Sequence, residues 1–240
     1  RRVTWAFNLS MSASALLGKL FLCSNGPSTP ALERALRELI GAEPKDTNVW
    51  YIPTAARHDG MAAMAKEQPA AIRQRFGVGV VRSIDPETVK GDLLRTKVSE
   101  LKPRLIWAEM GNTYALRHHL RESGGDELIR SLVASGVHFY GASAGAILAG
   151  RTVQTAFWKN WDDKTVSGQI DGTVWDDAST ARGLDLAGGR SIFPHASGLY
   201  SSAKWQQAQA ERCGHTDHEV VKLADGEAVI IEGGAMRPVS

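Results

Sequence analysis

Cysteine is nearly absent from this chain. Cys23 and Cys213 are its only two among 240 residues. Two thiols cannot build a disulfide framework, and neither sits in a metal-ligand spacing. A stapled secreted scaffold and a cysteine-held metal are thereby excluded, and a reducing, cytoplasmic setting is expected. Cys23 lies in an apolar run and reads as a buried thiol. Charge of one sign is also lacking: the formal net charge is +2, with no long acidic or basic block. Neither nucleic acid nor an anionic membrane is an expected partner. No apolar run is long enough to span a bilayer, and no internal repeat or low-complexity linker is visible. What is present, 43% hydrophobic and 22% charged residues, suits one large domain with a substantial core.

Residues 1–18 stand apart. Arg1 and Arg2 precede a mildly apolar stretch rich in Ser and Ala, and the chain begins without Met. This part is expected to be an N-terminal extension, either a processed segment or a tag. Residues 19–240 are expected to form one α/β domain.

From Lys19 onward, short apolar runs alternate with helical patterns. Strands are expected at 19–26, 48–56, 78–84, 104–108 and 137–142. Between them, apolar residues recur at helical spacing, as at Leu32, Ala35, Leu36, Leu39 and Ile40. Further helices are expected over 61–76, where Pro69 should break or kink the helix, and over 87–100, 114–121, 126–134 and 200–212. The strands are continuously apolar rather than alternating. That pattern predicts a mostly parallel sheet covered on both faces, a three-layer α/β sandwich. Residues 151–189, with Trp158, Trp161, Trp175 and many Asp and Gly, lack periodicity and are expected to lie over the carboxyl edge of the sheet, where such folds bind ligands. Val220–Leu223 and Ala228–Ile231, flanking Ala224-Asp225-Gly226-Glu227, predict a terminal β-hairpin.

One stretch organises the rest. Gly141-Ala142-Ser143-Ala144-Gly145 fits G-x-S-x-G between a strand and a helix start, the pattern of a nucleophile elbow. Glycines let strand and helix pass closely and tolerate the strained turn that lifts the serine clear of the sheet. A serine nucleophile needs a base, usually His, oriented by a carboxylate. His195 follows the apolar end Ile192-Phe193-Pro194 and is the best-placed base. His215 and His218 read as part of a solvated loop, and His118 and His119 as a helix surface. For the acid, Asp225 at the hairpin turn competes evenly with Asp162 and Asp163. The order Ser143, His195, Asp225 differs from the Ser, acid, His order of α/β-hydrolases.

Several separated pieces, in order, resemble the peptidase E (dipeptidase E) family of serine peptidases. They are Lys19-Leu20-Phe21-Leu22 with Ser24, Ile52-Pro53-Thr54-Ala55-Ala56, Gly111-Asn112-Thr113 with Leu116, Gly141 to Ala146, Gly183-Leu184 leading to Phe193-Pro194-His195, and Leu223-Ala224-Asp225-Gly226. The resemblance spans about residues 19–234. It implies a class I glutamine-amidotransferase-like, flavodoxin-like fold, with Ser143 as nucleophile, His195 as base and Asp225 as acid. It also implies an oxyanion hole from backbone N–H groups near Gly111 and of Ala144. Asn112, Thr113, Asp162, Asp163 and Lys204 are then candidates for supporting or substrate-binding roles.

Two departures from the family stand out. Glu109-Met110 replaces glycines common in the family, and only Lys204 is basic soon after His195, where aspartyl-dipeptide members carry arginine. The expected activity is hydrolysis of short peptides, with Asp-Xaa dipeptides among the candidates, by a monomer or homodimer needing no metal or cofactor. The alternatives are a cyanophycinase-like peptidase or esterase with the same triad, and a non-catalytic amidotransferase-like binding module.

Overall fold

The computed structural model describes residues 17–159, 161–197, 203–214 and 216–240. The expected extension therefore lies almost wholly outside the described residues. So do 198–202, at the start of the helix expected from residue 200, along with His215 and the side chain of Cys213.

Each of the first strands is short and buried on both sides. β1 (Leu20–Cys23) leads to α1 (Pro30–Ile40). Thr29 caps this helix by accepting the Leu32 N–H, Pro30 fills its first turn, and Leu32, Ala35, Leu36, Leu39 and Ile40 form its buried face, as their spacing predicts. β2 (Val49–Ile52) is followed by the single turn α2 (Thr54–Arg57) and then α3 (Ala62–Phe76). Pro69 lies inside α3 and does not end it. Proline removes one ladder donor, and the buried anchors Ala65, Ile72 and Phe76 on either side hold the helix to the core.

β3 (Val81–Ser83) is shorter than expected and stands at the sheet edge. α4 (Gly91–Leu101) starts four residues later than its pattern predicts. Asp85 explains the delay. Its carboxylate accepts the Glu87 N–H, and its carbonyl accepts the N–H groups of Thr88 and Val89, closing a turn first. β4 (Leu105–Ala108), α5 (Thr113–Ser123), α6 (Gly125–Ala134), β5 (His138–Ala142) and α7 (Ala144–Ala149) follow. α8 (Thr155–Lys159) and a 3₁₀ turn at 172–176 are set in the irregular tryptophan-bearing segment.

The last part departs from expectation. β6 (Ser191–Phe193) precedes α9 (Ala203–Gly214), and β7 (Val220–Lys222) precedes β8 (Ala228–Glu232) and β9 (Ala235–Val239). The expected hairpin between 220–223 and 228–231 does not form. β7 pairs in parallel with β6 in a separate two-stranded sheet, and β8 pairs antiparallel with β1 and with β9. The C-terminal hairpin is β8–β9, turning at Gly233 and Gly234. A local turn signal cannot choose a strand's partner. β8 buries Ala228, Val229, Ile230 and Ile231, and only the two-sided central sheet satisfies such a strand.

The central sheet runs β3-β2-β4-β5-β1-β8-β9, with β3, β2, β4, β5 and β1 mutually parallel. Phe21, Tyr51, Trp107 and Tyr140 face α1 and α3, and Leu22, Trp50, Ile106 and Phe139 face α4 to α7. The result is the three-layer α/β sandwich expected from the sequence. A third apolar cluster, with Tyr114, Ile147, Val153 and Trp175, anchors the tryptophan-bearing segment over the sheet.

Candidate active site

Ser143 follows β5 and precedes α7. Its backbone has φ 46° and ψ −102°, a conformation that non-glycine residues adopt only under strain of roughly 1–3 kcal/mol. The neighbouring glycines make the turn feasible. A Cβ on Gly141 would stand 2.5 Å from the Gly145 carbonyl oxygen, and one on Gly145 would stand 2.3 Å from that of Ala108. No side chain fits at either position, so strand and helix pack backbone to backbone. The Ser143 N–H is held by the Cys23 carbonyl at 3.1 Å.

His195 meets Ser143 from the end of β6. Ser143 Oγ and His195 Nε2 are 3.0 Å apart, and His195 Nδ1 and Asp225 Oδ1 are 2.7 Å apart. The consistent assignment has Ser143 donating to Nε2 and Nδ1–H donating to the carboxylate. His195 is itself in the left-handed region, with φ 58°. The parallel pairing of β6 and β7 fixes its position, since Leu223 donates to the Phe193 carbonyl and Ala196 to that of Leu223. Asp225 lies in the turn between β7 and β8, so the crossing from the small sheet to the large one delivers it. Asn25 Oδ1 accepts the Gly226 N–H, and Ser24 donates its backbone N–H to the Glu227 carbonyl.

Ser24 enters the sequence reading only as part of the first family-like motif, with no role given to it, and the fold sets it beside the candidate triad. Its Oγ donates to Asp225 Oδ1 at 2.7 Å and accepts the His195 backbone N–H at 2.8 Å. Its signal in the sequence was its place in that motif, directly after an apolar strand. Lys159 was missed. Its side chain is 1% exposed, and its Nζ lies 3.5 Å from Ser143 Oγ and 3.7 Å from Asp162 Oδ1. Burial lowers the Lys159 pKa, while Asp162 and Asp59 oppose that shift. The His195 pKa also falls below its ordinary value, first through burial and then through the Lys159 charge, against the pull of Asp225. The Trp161 ring stands 5.2 Å from the His195 ring.

The other expected residues fall into place around this group. Gly111 has φ 127°, and a Cβ there would lie 2.3 Å from the Ala55 carbonyl oxygen. Asn112 donates its N–H to that same oxygen and caps α5 by accepting the Ala115 N–H. Asp162 Oδ2 accepts the Thr113 N–H at 2.8 Å, and Asn112 Nδ2 donates to the Asp163 carbonyl, so the tryptophan-bearing segment braces the Gly111 loop. The Asp163 carboxylate is taken up by Thr165 and Ser167 of its own turn. Lys204 is exposed on α9, and among the described residues it makes no hydrogen bond or ion pair to Ser143, His195 or Asp225.

Two histidines differ from expectation. His218 lies in the expected loop, but its side chain turns inward and is largely buried, bonding Ser191 Oγ at 2.7 Å and Asp217 at 2.7 Å. This imitates a triad in composition, yet Ser191 is fully buried in strand β6. His119 is not on a helix surface; it is 3% exposed, on the inner side of α5.

A mostly parallel three-layer sheet with a serine elbow, a histidine delivered from a neighbouring strand end and an aspartate behind it defines a serine hydrolase. The family model of peptidase family S51 matches residues 20–239. The chain belongs to that family and is a serine-type peptidase. Among solved structures, a Listeria monocytogenes EGD-e protein described provisionally as peptidase E is similar, with a TM-score of 0.72 and 21% identity over 92% of this chain and 97% of its own. A peptidase from an acI-B1 actinobacterium has a TM-score of 0.61 and 19% identity, covering 95% of this chain and 89% of that one. At these identities the likeness concerns the fold. No curated protein matches the chain. No helix among the described residues is long and apolar enough to cross a membrane.

Proposed function

We propose that the enzyme hydrolyses short peptides through an acyl-enzyme on Ser143, with His195 as general base and acid and Asp225 as the orienting carboxylate. The observation that carries this reading is the continuous line Ser143 Oγ, His195 Nε2, His195 Nδ1, Asp225 Oδ1, at 3.0 and 2.7 Å, behind a strained elbow. Ser143 gives its proton to Nε2 as Oγ attacks the peptide carbonyl. Asp225 stabilises the imidazolium that results. Developing negative charge on the carbonyl oxygen is met by the N–H groups of Gly111 and of Ala144, the first residue of α7. His195 then protonates the leaving amine, and a water activated by the same imidazole releases the acyl group. Asp162 supports this arrangement from behind by fixing Thr113 beside the Gly111 loop.

The experiment pairs a fluorophosphonate probe with a library of dipeptides and tripeptides varied at the first residue. The reading expects Ser143 to be labelled and at least one peptide set, Asp-Xaa included, to be turned over. Labelled protein inert toward every peptide would overturn the short-peptide substrate while leaving the nucleophile standing.

A further inference from the structure

His58, Glu87 and His119 are far apart in sequence and share no ligand spacing, yet the fold brings one ligand atom of each to within 4.8 Å of the others. His58 closes α2, Glu87 lies in the turn organised by Asp85, and His119 is on the inner side of α5. His58 Nε2 is 3.2 Å and His119 Nε2 is 3.8 Å from the Glu87 carboxylate. The two imidazole rings lie 5.2 Å apart.

His119 is the telling member. It is 3% exposed, and both its ring nitrogens are buried without a hydrogen-bond partner. A contact of 3.8 Å is too long for a hydrogen bond. Buried polar atoms are almost always paired, so an imidazole with neither nitrogen bonded calls for an explanation, and its Nε2 is the nitrogen that faces Glu87.

We propose that His58, Glu87 and His119 form a divalent zinc site separate from the serine chemistry. Two imidazoles and one carboxylate are a donor set that zinc accepts and that hard cations such as magnesium and calcium do not favour. Ligands of a tetrahedral zinc at ~2.1 Å stand roughly 3.4 Å apart, so the 3.2 and 3.8 Å contacts to Glu87 bracket that spacing, and the separations of up to 4.8 Å close by side-chain rotation. His58 Nδ1 faces Ser167 Oγ at 3.4 Å, which is how a ligating histidine commonly uses its second nitrogen. Arg57 also reaches Glu87, and Asp85 offsets its charge. Glu87 Oε1, on the side of His119, is the oxygen open to the ion. Zinc here ties α2, the turn before α4 and α5 into one unit, and α5 is the helix that begins at the Gly111 loop.

The test uses the full chain, freed of metal with a chelator and titrated with zinc chloride alone. Retained zinc is measured against a chromogenic chelator, and thermal unfolding is followed in parallel. The expected result is one zinc per chain and an unfolding midpoint that rises with zinc. In His58→Gln and Glu87→Gln the affinity falls at least about tenfold and the rise in midpoint disappears. Both substitutions lie at partly exposed positions, so folding is checked by cooperative unfolding without metal. A cooperatively folded wild type that takes up no zinc overturns the site. Zinc uptake undiminished in both variants places the metal elsewhere and overturns it equally.

Discussion

Ser24 and Asp225 are separated by 201 residues in the chain and joined by a hydrogen bond of 2.7 Å. The same hydroxyl accepts the backbone N–H of His195, so one side chain fixes both the carboxylate and the base it orients. Ser24→Ala should therefore lower kcat by about 10- to 100-fold, as losses of groups that orient a catalytic residue do, with KM little changed. Asp225→Asn, which leaves the wrong tautomer on His195, should cost about 10⁴-fold. Steady-state constants for both variants check this, and a Ser24→Ala enzyme with wild-type kcat removes Ser24 from the relay.

Ser143→Ala should abolish turnover, by about 10⁴-fold or more, with the fold intact. Ser191→Ala and His218→Ala should keep near wild-type activity, because Ser191 sits in a regular strand with no elbow to present it. Fluorophosphonate labelling across the three variants separates the proposed group from its imitation. Labelling that vanishes in Ser191→Ala and persists in Ser143→Ala reverses the assignment.

The pH dependence has a definite sign. His195 must be neutral to accept the serine proton, and its pKa lies below the ordinary value of 6.5. Activity should accordingly rise with pH along a limb whose midpoint falls below 6.5. The Lys159 charge contributes to that depression, so Lys159→Met should move the midpoint of the kcat/KM profile to higher pH. A limb that stays where it is in the variant means Lys159 does not act on His195 through charge.

Gly145→Ala tests the elbow as a matter of packing. The added methyl would lie 2.3 Å from the Ala108 carbonyl oxygen, a backbone atom that cannot swing aside. A destabilisation of roughly 1–3 kcal/mol is expected, or a fall in Tm of about 2–10 °C. Calorimetry of the purified variant measures it, and an unchanged Tm contradicts the close passage of α7 over β4.

The elbow and His195 stand out in the sequence because each lies beside a strong local signal, a glycine pair and a strand ending in Pro194, whereas Asp225, in an ordinary turn, competes evenly there with Asp162 and Asp163. Continuous apolar runs such as Leu20–Cys23 and Leu105–Ala108 likewise announce strands covered on both faces. The role of Ser24 and the presence of Lys159 were not legible, since a serine after a strand and a lysine in a segment without periodicity gain meaning only from what the fold sets opposite them. The hairpin expected around Asp225 failed for the same reason. The turn was read correctly, but partner choice for β7 and β8 is decided by β6 and β1, which are distant in sequence. His119 shows the limit most clearly. Both histidines of α5 were expected on its surface, and the packing of α5 turns His119 inward.

The pairing of β8 against β1 has a consequence for the order in which a growing chain becomes competent. β1, with Ser24 at its end, is made before the elbow and His195, and Asp225 and the strand that seats it emerge after all of these. Until β8 docks, β1 has one open flank, and the proposed triad lacks its carboxylate and the brace on that carboxylate. A nascent or C-terminally trimmed chain thus carries the serine without the means to activate it. Hydrolytic competence becomes a late event in the history of each molecule, tied to completion of the sheet.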